Sequence, residues 1–258
     1  MARSAWRRSD AGDAARLAAM PYALRLRDDE AELTARFRSS GRLHAAGLLA
    51  EGAAALRDTL LASERWNLVF NRGDQLYELD RPTRDAMGAE KLAQLLGAIH
   101  REGRHDFEYV FENIRVPDDA AASSGVPALD AFARFLNSAA FLAFARRLVG
   151  CDDIAYADCQ ATLYRPGHFL NEHDDDVAGK DRVAAYVVNL TQPWRPHWGG
   201  QLQFLADDGH VAEAFVPAFN ALNLLRVPQR HLVSAVAPMA DPATPRLSIT
   251  GWLRRRRP

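Results

Sequence analysis

Residues 160–175 read QATLYRPGHFLNEHDD, and this stretch decides how the second half of the chain folds. Two short apolar runs flank the turn-forming triplet at residues 165–167, which predicts two strands joined by a tight turn. The stretch ends on the sequence His-Asp-Asp. In an extended backbone residues i and i+2 project to the same face, so we expect His173 and Asp175 to point together and Asp174 to point away.

After Gly150 the chain continues as short apolar runs with no helical stretch between them. Turn-forming clusters such as those at residues 198–200 and 207–209 separate the runs. The runs are IAYADCQATLYR, RVAAYVVNL, QLQFLA, ALNLLRV, HLVSAVA and RLSITGWL. Many short strands in succession indicate a sandwich or barrel-like β core.

The first half of the chain has a different pattern, with apolar residues at helical spacing. Helices are predicted from about residue 29 to residue 64, a region that includes GRLHAAGLLAEGAAALRDTLLAS (41–63). Two further helical stretches are TRDAMGAEKLAQLLGAIHREG (83–103) and PALDAFARFLNSAAFLAFARRLVG (127–150). Between them, WNLVFNRGDQLYEL (66–79) and DFEYVFENIRV (106–116) are predicted to be strands. We therefore expect an α+β protein. Its single domain spans residues 29–258, with 29–150 as mainly helical support and 151–258 as the β core, after an extended N-terminal segment at 1–28.

Composition excludes several classes of function. The formal net charge is −1, which gives no sign of a nucleic-acid or membrane partner. Cys151 and Cys159 form no C-x-x-C pair, so zinc-ribbon and redox-dithiol sites are not indicated. The chain starts without the apolar run of a signal peptide and is predicted to be cytoplasmic. The arginines at 254–257 are interpreted as a solvated tail.

Residues that suit a metal centre are spread over the predicted strands. His173 and Asp175 offer one imidazole and one carboxylate, and His231 offers a second imidazole from a distant strand. Such a set makes a two-His-one-carboxylate triad, which leaves open positions on non-haem iron(II). Strand geometry favours Asp175 over its neighbours. The alternative ligands are His168, Asp174 and Asp176.

Three further features surround these ligands in a fixed order. Tyr164-Arg165-Pro166-Gly167 precedes His173, and the WGGQL sequence at 198–202 opens the strand between the two ligand segments. Arg246-Leu247-Ser248 follows His231 by fifteen residues. In combination, these features resemble the prolyl-4-hydroxylase-like branch of the 2-oxoglutarate and Fe(II)-dependent dioxygenase superfamily, with its pattern Y-x-P-G, H-x-D, G-G-x-L, distal His and R-x-S-x-x-G-W.

The resemblance implies a double-stranded β-helix, a cupin-like jelly roll, with flanking N-terminal helices. It implies Fe(II) held by His173, Asp175 and His231, and 2-oxoglutarate and O2 as co-substrates, with ascorbate as an optional addition. It also implies that Arg246 binds 2-oxoglutarate, with contributions from Tyr164 and Ser248. A planar guanidinium suits that task because its fork matches both oxygens of a carboxylate. The strand after the H-x-D sequence reads AAYVVNL, and we expect at most one of Tyr186 and Asn189 to face the pocket.

The resemblance also implies the type of reaction, hydroxylation of a prolyl residue in a peptide or protein. A free amino acid or other small molecule is the alternative substrate, since the sequence gives no direct view of that pocket. Two other hypotheses stay open. The same triad also suits a catalytic zinc ion in a hydrolase, and a cupin-like module that binds a metal and a diacid without catalysis is the non-enzyme alternative. The oligomeric state is left open.

Overall fold

The computed structural model describes residues 21–119 and 122–255, so most of the segment expected at residues 1–28 lies outside the described residues. The helices are α1 (Glu30–Ser40), α2 (Ala53–Leu61), α3 (Arg81–Glu102), α4 (Pro127–Leu136) and α5 (Ala139–Val149). The strands are β1 (Ala23–Leu24), β2 (Arg42–Ala46), β3 (Leu49–Glu51), β4 (Asn67–Arg72), β5 (Gln75–Leu79), β6 (Tyr109–Arg115), β7 (Tyr156–Ala157), β8 (Gln160–Tyr164), β9 (Phe169–His173), β10 (Arg182–Leu190), β11 (Leu202–Leu205), β12 (Val211–Phe215), β13 (Phe219–Arg226), β14 (His231–Val233) and β15 (Arg246–Arg254).

Thirteen of the described strands form one antiparallel sheet. Its main path runs β12-β11-β14-β9-β6-β8-β15-β10-β13-β2, while β4 pairs with β5 and β6, and β7 pairs with β15. The sheet curls strongly, because Leu202 on β11 and Leu225 on β13 are far apart in this order and yet line one cavity. This curled sheet is the double-stranded β-helix that the sequence predicted.

Strand β15 shows how alternation along a strand separates the core from the cavity. Leu247, Ile249 and Leu253 are buried in the core that the helices α4 and α5 share. Arg246 and Ser248 belong to the opposite face and line the cavity. Burying a leucine or isoleucine contributes about 1.5–3 kcal/mol, so the apolar face fixes the register of the strand and thereby the polar face as well.

The prediction of helices from about residue 29 to residue 64 is confirmed at Glu30–Ser40 and wrong for the first part of the stretch 41–63. Residues 42–46 and 49–51 form β2 and β3, and only Ala53–Leu61 is helical. Leu43 and Ala45 are buried in alternation while β2 pairs with β13 along the side of the sheet. Gly41 and Gly47 take positive φ values of 71° and 69°, which interrupt a helix. Pairing with the sheet therefore overrides the local helical propensity.

The remaining elements follow the sequence more closely. The stretches 66–79 and 106–116 form β4, β5 and β6, and the runs after Gly150 form the strands expected there. The stretch 127–150 is helical but breaks into α4 and α5, where the Ser138 side chain accepts a hydrogen bond from the backbone of Phe141 and caps the second helix. Gly150 ends that helix with a left-handed backbone, as predicted.

No single helix among the described residues has the length and apolar character needed to cross a membrane. The helices α4 and α5 meet that criterion only when they are taken together, and they are bent by 55° relative to each other.

Candidate metal centre

The three predicted metal ligands lie together at one side of the cavity. His173 ends β9, His231 begins β14, and the antiparallel pairing of these strands places the two residues directly opposite each other. The Nε2 atoms of His173 and His231 lie 3.7 and 3.5 Å from the carboxylate oxygens of Asp175. All three ligand atoms lie within 4.8 Å of one another. Two imidazoles and one carboxylate at these separations can share a single ion.

The backbone that carries Asp175 differs from the predicted one. The prediction assumed extended backbone from His173 to Asp175, but β9 ends at His173 and Asp175 has a positive φ of 66°. Aspartate tolerates this left-handed conformation better than most residues do. Arg182 donates a hydrogen bond from Nη1 to the backbone carbonyl of Asp175 at 2.8 Å and supports the turn. The carboxylate thus reaches the histidines through a turn.

Hydrogen bonds to the backbone orient both imidazoles. Nδ1 of His173 lies 2.9 Å from the carbonyl of Asn171, and Nδ1 of His231 lies 2.7 Å from the carbonyl of Gln229. A carbonyl only accepts, so each Nδ1 carries the proton and each Nε2 presents a lone pair toward Asp175. Burial, and then the proximity of His173, lowers the pKa of His231 to about 4. The donor set therefore fits a divalent metal ion.

Arg246 lies in the same cavity and is a buried cation without an acidic partner. Its residue surface is 2% exposed. The contacts of the guanidinium among the described residues are Ser248 Oγ, 3.4 Å from Nη1, and the Tyr164 ring, 4.8 Å from Cζ. Its Nε has no partner at all among those residues, and burial lowers the pKa of Arg246. An unpaired buried charge is costly, which makes this position suitable for an anionic ligand.

Tyr164 and Ser248, predicted to assist Arg246, are placed beside it. Tyr164 pairs directly with Arg246 across strands β8 and β15. Burial raises the pKa of Tyr164 to about 12, so its phenol stays protonated and can donate a hydrogen bond. Ser248 Oγ lies 2.9 Å from the hydroxyl oxygen of Thr162, a cavity residue that the sequence analysis did not single out.

Of the two residues considered on β10, Asn189 lies on the side of the cavity. Ala185 and Val187 line the cavity, and Asn189 shares their face of the strand. It is paired with Ser248 on β15. Its amide nitrogen and oxygen are both buried and have no partner among the described residues. Tyr186 faces the opposite side and belongs to the core.

The alternative ligands do not join the triad in the described part of the chain. His168 is buried, its Nδ1 has no partner, and burial lowers its pKa to about 4. Asp174 accepts a hydrogen bond from the backbone of Asp176, which holds the loop after β9. The solvated tail predicted at residues 254–257 is wrong at Arg254, whose Nη2 lies 2.5 Å from Oδ2 of Asp158. Arg256 and Arg257 lie outside the described residues.

Comparison with known proteins agrees with this geometry. Residues 159–254 match the model of the 2OG-Fe(II) oxygenase superfamily, while no curated protein sequence matches the chain significantly. The fold is similar to that of a Pseudomonas putida prolyl-4-hydroxylase, with a TM-score of 0.53 and 20% identity over 88% of this chain and 99% of that one.

Two further solved structures share the fold. A prolyl hydroxylase from Trichoplax adhaerens, in complex with a peptide fragment of the hypoxia inducible factor oxygen degradation domain, has a TM-score of 0.52 and 13% identity over 88% of this chain and 89% of that one. SnoN, a non-haem α-ketoglutarate-dependent epimerase from nogalamycin biosynthesis, has a TM-score of 0.51 and 16% identity over 86% and 81%. The match places residues 159–254 in the 2OG-Fe(II) oxygenase superfamily, whose enzymes use Fe(II), 2-oxoglutarate and O2.

Proposed function

We propose that this oxygenase hydroxylates a prolyl residue of a peptide or protein, with His173, Asp175 and His231 as its iron ligands and Arg246 as the main 2-oxoglutarate-binding residue. The observation that supports the site most strongly is the unpaired guanidinium of Arg246, buried in the cavity that also contains the triad. A dicarboxylate co-substrate needs such a partner at the end that does not reach the metal. A zinc hydrolase would have no use for it.

One group of residues binds the metal, and another group binds the co-substrate. The two imidazoles and the Asp175 carboxylate hold one face of the metal and leave the other positions open to ligands. Arg246 receives the distal carboxylate of 2-oxoglutarate, and Tyr164 donates a hydrogen bond to it. Asn189 lies opposite Ser248, and the bound co-substrate supplies a hydrogen-bond partner for its unpaired amide. These contacts fix the orientation of the co-substrate.

Iron, 2-oxoglutarate and O2 together supply an oxidant that hydroxylates a C–H bond while 2-oxoglutarate becomes succinate and CO2. The chain supplies a cavity of about 560 Å³ that is lined mainly by residues of the strands. Apolar residues such as Phe111, Val187 and Leu225 line its wall, and they limit the access of water to the metal and to the bound co-substrate. The cavity is large enough for the co-substrate together with one substrate side chain.

The prolyl substrate is supported by the likeness of the fold to two prolyl hydroxylases. A small molecule is the second candidate substrate, because the epimerase SnoN, from nogalamycin biosynthesis, shares the same fold with a similar TM-score. A non-catalytic module is disfavoured, since the matched family is one of oxygenases. Location in the cytoplasm stays a prediction.

The test supplies the purified protein with Fe(II), 2-oxoglutarate and O2, and measures succinate. We expect proline-containing peptides or host protein fractions to increase succinate release, and mass spectrometry to find one added oxygen on a prolyl residue. The matched control replaces Arg230, an exposed arginine paired with Glu172, by glutamine. Arg230→Gln keeps the activity, and Arg246→Gln loses it. Hydroxylation of a free amino acid but of no peptide would instead identify a small-molecule enzyme.

A further inference from the structure

Each imidazole of the metal centre is oriented by the residue two positions before it. Nδ1 of His173 donates to the carbonyl of Asn171 at 2.9 Å, and Nδ1 of His231 donates to the carbonyl of Gln229 at 2.7 Å. Both of these residues have a carboxamide side chain. A backbone carbonyl keeps a ring in one orientation only while its own peptide group cannot rotate, so the groups that hold Asn171 and Gln229 also affect the two imidazoles.

The side chain of Asn171 attaches β9 to the segment between α3 and β6. The backbone N–H of Asn171 donates to the carbonyl of Glu108 at 3.1 Å, one residue before β6 begins. Farther from β6, Nδ2 of Asn171 donates to the carbonyls of Gly103 and Asp106 at 3.0 and 3.1 Å. These side-chain bonds replace strand pairing where the segment is no longer part of the sheet. They hold β9 just before it ends at His173.

Phe107 belongs to the same segment and packs against the first imidazole. Its exposed ring lies 5.9 Å from the ring of His173. Nδ2 of Asn71 on β4 donates to the carbonyl of Phe107 at 2.7 Å, and the backbone N–H of Tyr109 donates to Oδ1 of Asn71 at 2.9 Å. The segment is therefore held by Asn71 from β4 and by Asn171 from β9, which keeps the Phe107 ring beside the imidazole.

Gln229 holds the second imidazole in a similar way. Its Nε2 donates to the carbonyl of Ser40, the last residue of α1, at 3.1 Å. Its backbone N–H donates to the carbonyl of Asp174 at 3.3 Å, next to the third metal ligand. Gln229 thus connects α1, the loop that carries Asp175 and the strand that begins at His231.

Asn171 and Gln229 are not among the residues that line the cavity. They are therefore not placed to touch the co-substrate or the substrate, and any effect of the two side chains on the metal centre must pass through His173 and His231. An ion binds more tightly to imidazoles that are already oriented, because less conformational entropy is lost when it binds. The anchoring of both carbonyls thus favours metal binding.

A purely structural role is the alternative, and Asn137 provides an example of it. Nδ2 of Asn137 donates to the carbonyls of Ala133 and Ala157 at 2.9 and 2.8 Å. Asn137 therefore makes the same two kinds of bond as Asn171, and both side chains are partly buried. It follows α4 and does not line the cavity. Replacement of Asn137 consequently shows how much stability the loss of such bonds removes when no metal ligand depends on them.

We propose that Asn171 and Gln229 are positioning residues of the metal centre, whose side-chain amides fix the carbonyls that orient His173 and His231 before the metal ion binds. This inference rests on the proposed function and adds two residues that act through the metal ligands. In the metal-free protein both imidazoles then present Nε2 toward the carboxylate of Asp175. Anchoring of this kind raises the affinity for the metal without adding a ligand.

Metal affinity and protein stability, measured side by side, separate the two roles. Asn171→Ala and Gln229→Ala are titrated with Fe(II) without O2 in competition with a chelator, and Asn137→Ala is the matched control. We expect the dissociation constant for Fe(II) to rise about tenfold in the first two variants and to stay unchanged in the control. Chemical denaturation of the metal-free proteins should show a similar loss of stability in Asn171→Ala and in Asn137→Ala.

Nuclear magnetic resonance of the metal-free protein gives a second readout. The nitrogen chemical shifts of a neutral imidazole show whether Nδ1 or Nε2 carries the proton. We expect the proton on Nδ1 of both histidines in the wild type. His173 should become a mixture of the two tautomers only in Asn171→Ala, and His231 only in Gln229→Ala, whereas a loss of stability alone would move neither.

Unchanged Fe(II) affinity in Asn171→Ala and Gln229→Ala would overturn the inference. If Asn171→Ala does not fold, Gln229→Ala decides, because its side chain is attached elsewhere in the fold, at α1. His173→Ala separates the inference from the proposed function. If His173→Ala loses Fe(II) while the two variants bind it like Asn137→Ala, only the inference fails. If His173→Ala binds Fe(II) as the wild type does, the proposed metal centre fails as well.

Discussion

The two ends of the cavity handle buried charge in opposite ways. At the closed end Arg246 is fully buried and has no acidic partner among the described residues. At the other end lies a polar wall of four cavity-lining residues, Asp158, Arg182, Trp252 and Arg254, in which Arg254 and Asp158 neutralise each other. A site for a charged ligand contains an unpaired charge of the opposite sign, whereas a site for a neutral ligand contains none. The difference supports the proposal that the dicarboxylate binds beside Arg246.

Loss of the metal triad should have the largest effect. Asp175→Ala leaves the two imidazoles without the carboxylate, so we expect metal content and hydroxylation to fall to background. Metal analysis after purification and succinate release measure the two effects. Asp176→Asn is the control, since Asp176 is outside the triad. An Asp175→Ala protein that retained stoichiometric iron would contradict the assignment of this ligand.

The next largest effect concerns the unpaired charge of Arg246. Arg246→Met removes the partner of the co-substrate, and we expect the KM for 2-oxoglutarate to rise by a factor on the order of 100. Without co-substrate the same variant should be as stable as the wild type or more stable, because methionine replaces an uncompensated buried cation. Thermal unfolding measures this. We also expect 2-oxoglutarate to raise the melting temperature of the wild type and not of the variant.

A paired Arg246 would give the opposite result. If Arg246→Met lowered the stability of the ligand-free protein strongly, the guanidinium would have a structural partner and the contrast between the two ends would fail. Arg254→Met provides the comparison at the other end. It leaves Asp158 buried without its partner, and such a loss costs about 3–5 kcal/mol.

Much of this site could be predicted from the sequence, because its residues belong to motifs that follow one another in a fixed order along the chain. The spacing of His173 and Asp175, the distal His231 and the late Arg246 indicated which residues would meet in space. These residues lie on or next to strands, and the apolar runs of the sequence predict those strands. The sequence left open whether Arg246 had an acidic partner, and the geometry of the described residues shows none.

Other features could not be predicted, for physical reasons. The stretch 41–63 has a helical apolar pattern, yet pairing with β13 turns its first part into a strand, and such long-range pairing leaves no local signal. The left-handed turn at Asp175 is supported by Arg182, seven residues away, through a hydrogen bond to its backbone. The polar wall joins residues 158, 182, 252 and 254, whose proximity arises only when β7, β10 and β15 pair.

A smaller effect is expected from Arg182, which links the metal centre to the polar wall. Arg182→Lys keeps the positive charge but loses the planar group that stacks on Trp252 and bonds the Asp175 carbonyl. We expect metal affinity to fall about 10- to 100-fold, as for other residues that orient a ligand. Competition with a chelator measures it. Unchanged metal affinity would mean that Arg182 does not orient Asp175.

The smallest effect is a pH dependence of protein stability that originates at Asp158. Burial raises the pKa of Asp158 to about 6, against the opposing influence of Arg254. The other charged groups that affect it are Arg182 on β10 and Asp118 after β6. As pH falls through about 6 the carboxylate becomes protonated, so its ion pair with Arg254 weakens.

Protein stability should change in the other direction over the same range. The pKa of Asp158 is higher in the folded than in the unfolded chain. Its contribution therefore favours folding at low pH and is lost as pH rises through about 6. Asp158→Asn removes the titrating group, so its free energy of unfolding, measured by chemical denaturation, should lack this contribution between about pH 4 and pH 6. The same pH dependence in that variant as in the wild type would place the titrating group elsewhere.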